Sequence, residues 1–164
     1  MPSRIDEMLS KGMGAVKGVK ARVEGLTGVF RILCEQHGEV SALLRRVQGD
    51  RGKRAELWPK IRRELLSHER GEVKEVYPVL RQYPETQQFA EQHDQEATQL
   101  EAEIARIQAI SVDAQEWGQQ FDELVDLVTK HVAEEEDTIF PAAHKVLGDE
   151  KSKELEPKFL AAKK

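Results

Sequence analysis

Residues 68–78 read HERGEVKEVYP and residues 131–141 read HVAEEEDTIFP. Both segments place a glutamate four residues after a histidine, an aromatic residue five residues after that glutamate, and a proline directly after the aromatic residue. Residues four apart on an α-helix lie on one face, about 6 Å apart at Cβ. Each segment therefore presents an imidazole beside a carboxylate, and the repeat predicts a duplicated helical unit.

A second motif repeats upstream of each of these segments. Glu-Gln-His occurs at residues 35–37 and again at residues 91–93, and a leucine follows each histidine after seven residues. The chain therefore resembles two helical hairpins of one design, related by a pseudo-twofold axis. Four of the five histidines occupy equivalent positions in this repeat.

Apolar residues recur at steps of three and four along four stretches, as expected for amphipathic helices. The predicted inward faces are Val23, Leu26, Phe30, Leu33, His37, Val40, Leu44 and Val47; Ile61, Leu65, His68, Glu72, Val76 and Leu80; Phe89, His93, Ala97, Leu100, Ile104 and Ile107; and Trp117, Phe121, Leu124, Val128, His131, Glu135, Ile139 and Ala142. Four such helices with short connections predict an all-α, antiparallel up-down-up-down four-helix bundle.

The chain is expected to form a single domain over residues 1–164, because this length suits one core. Residues 1–20 contain several glycines and are expected to be a flexible lead-in. The bundle is expected over residues 21–147 and a polar tail over 148–164, with Gly148 as a C-cap. The tail residues predicted to form a short helix on the outside of the bundle are Leu155, Phe159 and Leu160.

The connection between the first two helices is predicted to be irregular. Counted from the turn between them, His37 and His68 would differ in height by about 6 Å at 1.5 Å per residue. Residues 49–58 are therefore not expected to form one straight helical run. Proline is tolerated in the first turn of a helix, so we expect the second helix to restart near Pro59.

The overall composition excludes several classes of protein. Charged residues make up 34% and aromatic residues 5%, which suits amphipathic helices better than a β-sandwich. The net charge of -5 argues against a nucleic-acid partner. Two lysines, one arginine and one glutamate interrupt the apolar stretch at residues 12–30, which argues against a membrane span. The single cysteine cannot form an intrachain disulfide, so we expect a soluble protein in a reducing cytoplasm.

Six polar residues at inward positions predict a metal site. Burying four imidazoles and two carboxylates without partners costs several kcal/mol per ionised carboxylate. Iron accepts imidazole nitrogen and carboxylate oxygen together, and two glutamates facing each other can bridge two ions. The predicted ligands are His37, His68, Glu72, His93, His131 and Glu135.

These residues, together with both aromatic-proline steps, resemble the hemerythrin or HHE cation-binding domain over roughly residues 23–147. The resemblance implies a four-helix bundle that holds two iron ions as an oxo- or hydroxo-bridged di-iron centre. It also implies dioxygen, peroxide or nitric oxide as small ligands, or a role in sensing or storing iron.

The sequence departs from the oxygen-carrying members at two positions. Ala97 stands where those members have a second histidine on the third helix. Glu135 and Glu136 lie four and five residues after the last histidine, where those members have an aspartate at five. Six ligands rather than seven leave one iron with an extra open position, which favours reaction with peroxide or dioxygen over reversible oxygen carriage.

The alternative is that a neighbouring side chain fills this open position as a seventh ligand. Glu69 is our first choice, because it adjoins His68 and because some eukaryotic iron-sensing hemerythrin domains resemble this His-Glu-x-x-Glu arrangement. Glu96 and Tyr77 are the alternatives.

Other residues receive structural interpretations. His144 lies about 220° round the helix from His131, so it is expected to face away from the metal. The residues expected to pack or to face solvent are Cys34 as a small buried hydrophobe, Trp58 and Trp117 as core or rim, and Glu134, Glu136 and Asp137 as a solvated face.

Three functions remain open at this point. The first is a di-iron protein that handles oxygen or reactive oxygen species, with catalase-like peroxide breakdown as one form of it. The second is an iron-sensing or iron-storage module without turnover, whose folding is linked to iron. The third is a metal-free or zinc-binding structural bundle, although zinc usually takes about four ligands.

Overall fold

The structure, a computed structural model, describes residues 25–164, and every regular element in that range is helical. The helices are α1 (Val29–Gly49), α2 (Arg54–Gly71), α3 (Tyr77–Leu80), α4 (Gln87–Gln108), α5 (Gln115–Glu134) and α6 (Phe140–Lys163). π-helical turns at Glu72–Val76 and Glu135–Ile139 join α2 to α3 and α5 to α6. The result is four long helical stretches, as in a hemerythrin-like bundle. We call them bundle helices 1 to 4: α1, then α2 with the first π turn and α3, then α4, then α5 with the second π turn and α6. None of the described helices is long and apolar enough to cross a membrane.

The predicted inward faces form the interior. The predicted apolar positions from Leu26 onward are buried, apart from Phe89 and Ala142, which are half-buried. Val23 and the lead-in at residues 1–20 lie outside the described residues. The buried apolar side chains form two clusters, one around Trp117 and one around Phe140, and along each bundle helix the inward polar residues lie between the two clusters.

The predicted break between the first two bundle helices is confirmed. Helix α1 ends at Gly49, and a 3-10 turn at Arg51–Lys53 precedes α2. The Asp50 side chain accepts a hydrogen bond from the Gly52 N–H and stabilises this turn. The break permits His37 and His68 to face each other with ring centroids 5.0 Å apart.

The predicted restart near Pro59 is wrong by five residues. Helix α2 begins at Arg54, and Pro59 lies inside it. A proline in a helix interior costs about 3 kcal/mol. Burial of Leu57 and Trp58, worth about 1.5–3 kcal/mol each, offsets that cost, and the Trp58 Nε1–H donates to Gln108 Oε1 over 2.8 Å.

The two π-helical turns occupy equivalent positions of the sequence repeat. Each begins at the glutamate of a His-x-x-x-Glu segment, whose carbonyl accepts from the backbone N–H five residues later. The proline that follows each turn has no N–H, and its ring clashes with the carbonyl four residues before it in a regular α-helix. The wider π turn relieves this clash. It also shifts the inward register by one residue, which is why Ala143 is buried in place of the predicted Ala142.

The tail packs more closely than the sequence predicted. Gly148 has a φ of 81° and breaks α6, but the helix resumes and buries Leu155 and Phe159, while Leu160 stays 41% exposed. A Cβ on Gly71 of α2 would lie 2.5 Å from the Phe159 ring, so only glycine permits this approach. The tail is therefore part of the core rather than an external attachment.

Candidate metal centre

The six predicted ligands and Glu69 converge in the middle of the bundle, where their donor atoms form two groups. Within each group the donor atoms all lie within 4.8 Å of one another. Subsite A consists of Glu69, Glu72, His93 and His131, and subsite B consists of His37, His68 and Glu135. All four bundle helices contribute to the pair of subsites.

Glu72 and Glu135 lie where the two subsites meet. Glu135 Oε1 is 3.1 Å from His37 Nε2 in subsite B and 3.2 Å from His131 Nε2 in subsite A. Glu72 Oε1 belongs to subsite A by position and lies 2.9 Å from His68 Nε2 in subsite B. Both carboxylates are fully buried, and each lies close to donor atoms of both subsites.

The chemistry of these donors fits metal ions better than a hydrogen-bonded core. Among residues 25–164, eleven buried side-chain nitrogen and oxygen atoms have no hydrogen-bond partner, and ten of them belong to the seven residues of subsites A and B. Their close pairs are 2.9–3.2 Å apart without hydrogen-bonding geometry. Two ligands bound at 90° to one ion, each at about 2.1 Å, lie about 3.0 Å apart.

Two side chains outside the subsites orient the histidines. His68 Nδ1 lies 2.8 Å from Gln36 Oε1, and His131 Nδ1 lies 2.8 Å from Glu96 Oε2. Amide and carboxylate oxygens only accept, so each Nδ1 carries the proton and donates it. The Nε2 lone pair of each imidazole is thereby left facing its subsite, the tautomer that a metal requires.

The geometry favours Glu69 among the three candidates for a seventh ligand. Glu69 Oε1 lies 3.0 Å from His93 Nε2 and is 3% exposed. Glu96 is engaged at the outer nitrogen of His131. Tyr77 donates its hydroxyl to Glu135 Oε2 over 2.6 Å and stacks on the His93 ring. The role of Glu69 as a ligand remains a prediction.

The electrostatics show how crowded the site is with ionisable groups. Burial, reinforced by the neighbouring Glu135 carboxylate, raises the pKa of Glu72. Burial lowers the pKa of His68, and the nearby His37 lowers it further. For His37 burial also acts downward, but its contacts with Glu135 and Glu136 outweigh burial and raise its pKa to about 9. In the absence of metal, protons shared among these side chains must balance the charge of the buried carboxylates. Bound cations would balance that charge instead.

A cavity of about 80 Å³ adjoins the centre. His37, His68 and His131 line it, and so do apolar side chains of all four bundle helices: Val40, Leu65, Leu100 and Val128. A water needs about 10–15 Å³ in such a cavity, so it holds several water-sized molecules. Small ligands therefore have room to reach the histidine side of both subsites.

Glu136 corrects one interpretation drawn from the sequence. It was expected on a solvated face, but it is 3% exposed and its Oε1 lies 3.6 Å from His37 Nδ1. The π turn at Glu135–Ile139 rotates this position inward, and the proline six residues after Glu135 was the signal for such a turn. Cys34 is buried beside His37 and Glu136.

His144 lies outside both subsites, with Nε2 3.1 Å from Thr27 Oγ1.

Known proteins resemble the part of the chain that contains both subsites. The profile of the family described as Hemerythrin HHE cation binding domain matches residues 23–143. A relative described as a DNA nickase from Nostoc sp. (strain PCC 7120 / SAG 25.82 / UTEX 2576) is 30% identical over 167 residues, covering 98% of this chain and 46% of the relative. The chain thus spans less than half of that relative's length. No solved structure is significantly similar to this chain.

Proposed function

The chain belongs to the hemerythrin HHE cation-binding family, and from that premise we propose that it holds two iron ions and reacts there with hydrogen peroxide or dioxygen. One observation carries the proposal: two adjoining groups of buried, unpartnered nitrogen and oxygen donors share the carboxylates of Glu72 and Glu135. Mixed imidazole and carboxylate donors suit iron, and a structural zinc ion would use only about four of the seven.

In this proposal the chain supplies binding, orientation and access. Iron, when bound, provides a redox-active Lewis acid for a small oxidant. Subsite B has three donor residues against four in subsite A, so subsite B is the natural place for an exogenous ligand. The cavity beside His68 admits that ligand, and its apolar walls limit the water that accompanies it.

Anaerobic iron loading followed by peroxide addition tests this function. We expect two irons per chain, peroxide consumption only by the loaded protein, and loss of iron in His68→Ala and in Glu135→Ala. Wild-type iron content in both variants would refute the ligand assignment. Two irons without any turnover would instead support a sensing or storage module.

DNA cleavage is a second candidate, favoured by the relative described as a DNA nickase and by an uneven charge distribution. Residues 45–63 carry eight lysines and arginines against two acidic residues, although the whole chain is acidic. This basic segment runs from the end of α1 into α2, and Arg62 and Arg63 are exposed there. Two cations can also assist phosphodiester hydrolysis.

Supercoiled plasmid offers a direct test of the second candidate. Nicking by iron-loaded protein is expected to disappear in His68→Ala, whereas Arg62→Ala combined with Arg63→Ala weakens DNA binding and reduces its salt dependence. Added catalase separates hydrolysis from oxidative damage. Intact plasmid with loaded wild-type protein excludes this candidate.

We also propose that the chain forms a single domain, in which residues 21–147 supply an up-down-up-down bundle and the tail completes its core. Short connections support it, since a few residues join α1 to α2 and α5 follows α4 within seven residues. The lone Cys34 is buried, which suits a reducing cytoplasm.

A further inference from the structure

Tyr77 is the only phenol in contact with the candidate metal centre among the described residues. It is 1% exposed and lies at the start of α3, directly after the first π turn. Its hydroxyl donates to Glu135 Oε2 over 2.6 Å, and its ring stacks on His93 with centroids 3.7 Å apart. The position equivalent to Tyr77 in the sequence repeat is Phe140, which stacks near His37 at 5.8 Å. Only the first half of the repeat therefore has an oxidisable phenol at this position, and the second half has a phenylalanine.

The two oxygens of Glu135 face different partners. Oε1 lies 3.1 Å from His37 Nε2 and 3.2 Å from His131 Nε2, so it faces both subsites. Oε2 accepts the hydrogen bond from Tyr77. One carboxylate thus connects the phenol to both metal positions, and it can accept the phenol proton while an electron passes toward the metal.

We propose that Tyr77 is a redox-active residue that donates one electron and one proton when the iron-loaded centre reduces hydrogen peroxide. This inference rests on the proposed function. Hydrogen peroxide needs two electrons and two protons to become two waters. Tyr77 supplies one of these electrons and one of these protons, an iron ion held by the subsites would supply the other electron, and solvent supplies the other proton. The phenol O–H bond breaks, its proton passes by way of Glu135 Oε2 to the reduced oxygen, and a neutral phenoxyl radical remains on Tyr77.

Burial suits Tyr77 to this role. A radical on an exposed ring would meet solvent and other protein molecules, whereas this ring belongs to the core cluster around Phe140 and stacks on His93 of α4. The chain has two tyrosines, and Tyr83 is only half-buried in the turn after α3. Tyr83 therefore provides a matched control.

The test uses full-length protein loaded anaerobically with iron(II), mixed with peroxide and frozen for electron paramagnetic resonance. Wild type and Tyr83→Phe are expected to give an organic radical signal whose hyperfine splitting changes when ring-deuterated tyrosine is incorporated. Tyr77→Phe is expected to bind two irons but to lose the signal and the accompanying phenoxyl absorption.

Persistence of the tyrosyl signal in Tyr77→Phe overturns the inference. So does wild-type protein that binds two irons and consumes peroxide without any tyrosyl signal, in which case the proposed function survives. If wild-type protein binds no iron, the proposed function and this inference fail together. If it binds two irons but consumes no peroxide, this inference fails, and the proposed function then depends on reaction with dioxygen. If Tyr77→Phe loses its iron as well as the radical signal, the loss of the signal is explained by a structural role of Tyr77. Tyr77→Trp then decides: a variant that retains two irons must give an indole radical, and the absence of that radical overturns the inference.

Discussion

Replacing Glu96 by alanine should weaken metal binding in subsite A about 10- to 50-fold, whereas Gln36→Ala should weaken subsite B only about 2- to 5-fold. Both side chains accept a hydrogen bond from a histidine Nδ1 over 2.8 Å. Glu96 is a carboxylate, and its bond to His131 lowers its pKa to about 2. Gln36 is neutral. The two positions thus perform one role with different charge.

The magnitudes follow from the two kinds of hydrogen bond. A bond to a charged group contributes about 1.5–3 kcal/mol and a neutral one about 0.5–1.5. Both residues border the cavity, so water replaces part of the lost interaction and the lower half of each range applies. Each 1.4 kcal/mol is about tenfold in affinity.

Anaerobic titration with iron(II) against a chromophoric chelator measures both affinities. Glu96→Gln removes the charge but keeps the acceptor, and Gln36→Glu adds a charge at the matched position. Exchanging both residues is expected to reverse the order in which the subsites fill. Equal losses in the two alanine variants, or an unchanged order after the exchange, would contradict this reasoning.

Three further predictions concern packing, pH and specificity. Gly71→Ala should lower the free energy of unfolding by about 1–2 kcal/mol, because overpacking against Phe159 outweighs the gain in helix propensity. Gly38→Ala has nothing within 4 Å and should raise that free energy by about 0.5–1 kcal/mol, as urea unfolding can show. Folding raises the pKa of His37 to about 9, so metal-free protein should lose stability as the pH rises from 6.5 through 9. The loss from His37 alone should be on the order of 3 kcal/mol. Thermal unfolding measured across this pH range should show a weaker pH dependence in His37→Gln. Iron analysis should find His144→Ala unchanged, since its Nε2 lies against Thr27 outside both subsites.

Much of the fold and the donor set could be predicted from the sequence, because both depend on local periodicity. Helical spacing places residues i and i+4 on one face. A histidine and a glutamate that fall in the repeat of apolar residues are therefore predicted to face inward. The repeat then indicates that His68 and His131 occupy equivalent places. The helical fold and the family predicted from these residues are confirmed, and the ligand roles remain predictions.

The tertiary structure alone decided which donor atoms share a subsite and what surrounds them. That depends on the height and rotation of each helix, which distant side chains set by packing. The approach of Phe159 to within 5.9 Å of the His68 ring required the tail to fold back onto Gly71, and the contact of Glu96 with His131 required two bundle helices in register. Periodicity along one helix carries no information on its rotation against another, so no reading of the chain in one dimension could supply these contacts.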